Sequence, residues 1–176
     1  MRPAAACLSA MELVVACGHG FEAGGLGTVP DAETPRASAG TMEAATIAAL
    51  RQALSIGQLD LEPATQPYQP AQPAALISVP RSAYQVRLSD PEGGVVLVYT
   101  FADPDAAGGG AQELADYLSS SPGKINFAGD SAFHVAHLGP TVILTWFSPS
   151  QSADPEAARG AFGLVSTVGA EVPVLP

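Results

Sequence analysis

Few side chains in this sequence have the chemistry to do work, and their spacing decides what that work is. Ser131, in Gly129-Asp130-Ser131-Ala132, is the candidate nucleophile. A serine attacks only where a base takes its proton, and Asp and Ser ahead of a strand are better accounted for as turn formers that hydrogen-bond the backbone. His134 and His137 look like a metal pair. Residues three apart on a strand point to opposite faces, so the two cannot share an ion without a bulge. His19 stands far upstream, no Cys or carboxylate cluster has zinc spacing, and no calcium loop is present, so no metal and no cofactor is expected. Asp103, Asp105, Asp154 and Glu156 sit at two helix starts, where the helix dipole favours acids without any ligand. Trp146, with Leu144 and Val142 on the same side of one strand, forms the candidate binding surface.

The Gly-Asp-Ser block resembles that of a family of lipases and esterases, which implies Ser131 as nucleophile. The surroundings depart from that family: no Asp-x-x-His follows His137, and no Gly-x-Ser-x-Gly elbow exists. A serine hydrolase using Ser131 is therefore the alternative function and not the first.

Both cysteines, Cys7 and Cys17, lie near the amino terminus, so no disulfide framework supports the rest of the chain. Residues 1–16 carry one positive charge, a mostly apolar stretch and a small residue at the end, the layout of a secretory signal peptide. Val14-Val15-Ala16-Cys17 resembles the bacterial lipobox. That resemblance implies cleavage before Cys17, acylation of its thiol, and a lipid anchor in the cell membrane on its extracytoplasmic face. Residues 17–40, rich in Gly, Ala, Thr, Ser and Pro, have the composition of a flexible tether. The competing reading is a soluble cytosolic interaction domain with an uncleaved terminal helix.

Composition narrows the partners. Of 176 residues, seven are Lys or Arg and seventeen Asp or Glu, giving a net charge of −10, and Lys124 is the single lysine. Nucleic acid binding needs grouped cations, which the sequence lacks. With 47% hydrophobic and 14% charged residues, the chain can bury a core. The expected partners are thus the membrane, through the lipid, and a protein or small ligand.

The elements that would position these residues fall within 41–176. Thr41 as N-cap, Ile47, Leu50 and Leu54 on one face, and Gly57 as terminator predict a helix over 41–56. Five prolines over 63–80 make that stretch an extended connector. Residues 84–88 and 95–101 predict a β-hairpin, followed by a helix opened by Asp103-Pro104 and weakened by Gly108-Gly109-Gly110. Residues 133–137 and 141–147 predict a second hairpin, followed by a helix from Asp154-Pro155 to about Val168. The matching order predicts an α+β fold: a four-stranded antiparallel sheet from a pseudo-repeated ββα–ββα unit, both helices on one face, plus one N-terminal helix. The helix-side set is expected to be Val95, Leu97, Tyr99 and Phe101, matched by Thr141, Ile143, Thr145 and Phe147. The opposite face, with Val142, Leu144 and Trp146, would then be covered in part by the connector or a partner.

Overall fold

The computed structural model describes residues 39–65, 70–88 and 94–176. The leader, Cys7, Cys17, His19 and nearly all of the tether lie outside the described residues. The described residues belong to one compact unit, and none of their helices is long and apolar enough to cross a membrane.

Helix α1 spans Ala39–Ser55, starting two residues before Thr41, which is therefore inside the helix and is not its cap. Its alanines favour helix, and the stripe Ile47, Leu50 and Leu54 is buried while Arg51 and Gln52 face solvent. Gly57 N–H donates to Leu54 O at 3.0 Å, but the left-handed residue that turns the chain is Gln58, with φ of 56°. Strand β1 (Leu61–Pro63) follows, then the proline-rich connector, whose 3-10 turn Ala74–Leu76 buries Leu76 completely. Strands β2 (Arg81–Val86) and β3 (Val95–Thr100) form the first hairpin. Helix α2 (Pro104–Ser119) is capped by Asp103, whose carboxylate accepts from Ala106 N–H at 2.8 Å, with Pro104 at the first helical position. The short α3 (Ser121–Lys124) leads to the second hairpin, β4 (Ala132–Leu138) with β5 (Thr141–Phe147). Helix α4 (Pro155–Val165), capped by Asp154 on Ala157 N–H at 3.1 Å, ends three residues before Val168 and hands over to β6 (Ala170–Val172). Asp103 and Asp154 thus have the same structural task.

The sheet has six strands, not four, in the order β1-β2-β3-β5-β4-β6, every neighbouring pair antiparallel. The two added strands are three residues each and form both edges. The fold is α+β, as the element order predicts, but the helices cover both faces. Leu97, Tyr99, Val142, Leu144 and Val135 pack with α2 and Leu76 on one side. Val96, Val98 and Ile143 pack with α1 and α4 on the other.

Chain direction explains that split. Strands β3 and β4 both pair antiparallel with β5, so they are parallel to each other, and α2 crosses over β5 to join them. Strands β5 and β6 both pair antiparallel with β4, so α4 crosses over β4. The two crossovers step the same way across the sheet from strands of opposite direction. Crossovers of one hand, the strong preference in proteins, must then pass over opposite faces. The ββα–ββα repeat does not survive this topology. The hairpins are mirrored in the order β2-β3-β5-β4, and a rotation mapping one onto the other would leave both helices on one face. The expected matched set separates accordingly: Leu97 and Tyr99 face α2, whereas Ile143 packs with α4, and the Phe147 ring lies 6.2 Å from that of Phe162 on α4.

Candidate functional site

At the end of α2 the chain turns sharply into α3. Ser120 caps α3, its hydroxyl accepting from Gly123 N–H at 3.3 Å and donating to Tyr117 O at 2.6 Å. A Cβ on Gly123 would lie 1.9 Å from Tyr117 O, so only glycine lets α3 fold this tightly against α2. The tight turn sets Lys124 and Phe127 beside the start of β4.

Three aromatic rings meet there. Phe133 and Trp146 are register partners on β4 and β5. Phe127 packs edge-on to both, with ring centroids 4.8 Å from Phe133 and 5.4 Å from Trp146. The tail after β6 closes the other side: Leu175 N–H donates to Ser119 Oγ at 2.8 Å, and Lys124 Nζ reaches Leu175 O at 3.4 Å. Between these walls lies a cleft of about 460 Å³, lined by Lys124, Phe127, Ser131, Phe133, Val174 and Leu175 among others. That volume is in the range of small-ligand sites, ~300–1,000 Å³.

The residues singled out in the sequence fall in different places. Val142 and Leu144 are completely enclosed beneath α2, so they belong to the core and offer no surface. Trp146 alone of that trio is half-buried, and it touches the cleft through Phe127. Ser131 lines the cleft, yet its Oγ is sealed from solvent with no hydrogen-bond partner. No histidine lines the cleft with it, and Lys124 is the one basic side chain there.

Asp130 organises the neighbouring loop. Its carboxylate accepts from Ser148 Oγ at 2.6 Å, Ser150 N–H at 2.8 Å and Ser150 Oγ at 2.9 Å, joining the approach to β4 with the exit from β5. The Ser148 hydroxyl, followed by the Ser150 amide, holds this carboxyl below its ordinary pKa. The chain does turn here, Ser131 N–H donating to Ala128 O at 3.0 Å, but the side chains of the block do not brace that turn as expected: Asp130 binds serines of another loop and Ser131 Oγ has no partner.

The histidines diverge as strand alternation requires. His134 pairs with Thr145 and faces the α4 side, almost wholly buried, whereas His137 pairs with Val142 on the α2 side. Burial pushes the His134 pKa down, and Glu171, with Oε1 3.9 Å from Nδ1, opposes that shift, as does a hydrogen bond with the Val168 backbone. His134 Nε2 has no hydrogen-bond partner. Among the described residues no group of three or more His, Cys, Asp or Glu is gathered for a metal ion.

The cleft itself has no local signature in the sequence. Its walls come from α3, the approach to β4 and a tail some fifty residues later; of the residues singled out in the sequence, Ser131 lines it and Trp146 adjoins it through Phe127. No protein-family model matches this sequence, and comparison with curated proteins and with solved structures finds no match.

Proposed function

We propose that this protein is a non-catalytic binding domain, held at the extracytoplasmic face of the cell membrane by a lipid on Cys17, and that the aromatic cleft beside Trp146 is its ligand seat. The observation that carries the binding reading is the cleft's composition: a T-stacked aromatic pair and aliphatic tail residues around a single ammonium. Clefts of this size lined by aromatics and a few polar groups are where proteins seat small molecules. The lipid anchor rests on the leader and the Val14-Val15-Ala16-Cys17 motif, and a tether of residues 17–40 would hold the domain off the headgroups.

Two experiments separate this from the alternatives. Mass spectrometry of the membrane fraction is expected to find a chain beginning at an acylated Cys17; intact residues 1–16 with a free Cys17 thiol would instead support a soluble cytosolic domain. Ligand screening by Trp146 fluorescence, with Phe127→Ala as control, tests the seat. A hit that leaves Trp146 emission unchanged, or binds Phe127→Ala equally well, places the ligand elsewhere.

A further inference from the structure

We infer that the cleft selects amphiphilic monocarboxylates, molecules with one carboxylate on an apolar chain, the carboxylate meeting Lys124 and the chain lying along Phe127 and Phe133. This rests on the cleft being the ligand seat.

Three observations point to that chemistry. First, Lys124 is the only lysine of the sequence and lines the cleft of a protein with net charge −10. Its ammonium reaches only a neutral carbonyl, Leu175 O, at 3.4 Å, and among the described residues no carboxylate lies within ion-pair distance of it. An ammonium without an acid in so acidic a protein is complementary to an anionic ligand. Second, the charge is single. No arginine lines the cleft, so the two-pronged recognition that phosphates and dianions favour is missing, and a monoanion suits it better. Third, Phe127, Phe133, Val174 and Leu175 give the cleft an apolar side beside the polar surface around Lys124 and Ser131, and aliphatic side chains near it are exposed: Leu175, on the cleft wall, by 64% and Ile125, next to Lys124 in sequence, by 80%. Exposed aliphatic side chains flanking an aromatic cleft suit a hydrocarbon chain longer than the cleft itself.

The test uses the full chain and three ligands of equal chain length, decanoate, decanol and decylamine, below their micelle-forming concentrations. Isothermal titration calorimetry gives affinity and Trp146 fluorescence reports the location. A charge-assisted hydrogen bond at a half-buried site favours decanoate over decanol by about tenfold, with decylamine weakest. Lys124→Met keeps the aliphatic stem and is expected to reduce decanoate to the decanol level while leaving decanol unchanged; Lys124→Arg restores the preference in part. Phe127→Ala weakens all three. Equal binding of decanoate and decanol to the native protein would overturn the carboxylate selectivity and leave the seat in place. Absence of any heat or fluorescence change with all three would remove both. A decanoate preference that persists in Lys124→Met would also overturn the assignment, because the recognising charge would then lie elsewhere.

Discussion

Replacing each of the three consecutive glycines of α2 by alanine is expected to give effects of opposite sign. A helix-interior Gly→Ala change stabilises by about 0.5–1 kcal/mol, because alanine loses less backbone freedom on folding. At Gly108 and Gly109 an added Cβ meets nothing within 4 Å, so both substitutions should realise that gain. At Gly110 the Cβ would sit 2.2 Å from Phe101 Cζ, 2.6 Å from Cε1 and 3.1 Å from Cε2. Three atoms of one rigid ring cannot yield by a small torsion, since Phe101 is half-buried against the α2 side of the sheet. Overpacking of this kind costs about 1–3 kcal/mol. The propensity gain is common to Gly109→Ala and Gly110→Ala, so it cancels in their difference, which should equal the overpacking cost of about 1–3 kcal/mol. Urea unfolding followed through Trp146 fluorescence measures it as a change in midpoint at constant slope. Combining Gly110→Ala with Phe101→Leu should recover part of the loss, a coupling that only contacting residues show. If Gly110→Ala and Gly109→Ala agree within about 0.5 kcal/mol, the usual scatter of independent sites, the helix does not pack on Phe101 as described.

Other expectations concern buried polar groups. Thr46 Oγ1 lies 2.7 Å from Thr141 Oγ1, which itself donates to Leu138 O at 2.8 Å, so Thr46 is the donor between them. Thr46→Val should cost about 1 kcal/mol in a urea titration and Thr141→Val about 1–3 kcal/mol, since the latter strands two partners at once. His134 has a pKa lowered by burial, so the folded state binds fewer protons than the unfolded one. Its contribution is therefore complete above the ordinary imidazole pKa and is lost as pH falls from there towards the depressed folded value, with a slope of at most about 1.4 kcal/mol per pH unit for one proton. His134→Gln should flatten that part of the stability–pH curve; an unchanged curve would show that the ring is not buried. Asp130→Asn should lower the melting temperature above the carboxylate range, and the difference from native protein should shrink as acid protonates Asp130, whose lowered pKa delays that loss.

What the sequence revealed, and where it misled, follows from how local each signal is. Strands β3 and β5 and the caps Asp103 and Asp154 are legible because alternation and N-cap chemistry are properties of a few adjacent residues. Leu61–Pro63 and Ala170–Val172 are too short to show a period and become strands only through the neighbours that pair with them. The face of each helix is decided by crossover hand and strand order, neither of which an overlay of hairpins contains, and so the sequence reading assigns Val142 and Leu144 to a face for the connector or a partner when α2 covers them. Phe127 was missed as a site residue because its partners, Phe133 and Trp146, are brought to it by the sheet.

The packing of α1 against α4 has a consequence for biogenesis. Ile47, Leu50 and Leu54 are buried with Ala161 and Val165, more than a hundred residues later in the chain. A chain that emerges amino end first, from a ribosome or through a membrane channel, therefore presents this apolar stripe with only residues such as Leu61, Val86, Val96 and Val98 to cover it until α4 is out. Helix α1 is fully covered only when α4 arrives, so the nascent chain, and any truncation before Pro155, keeps part of this apolar stripe exposed.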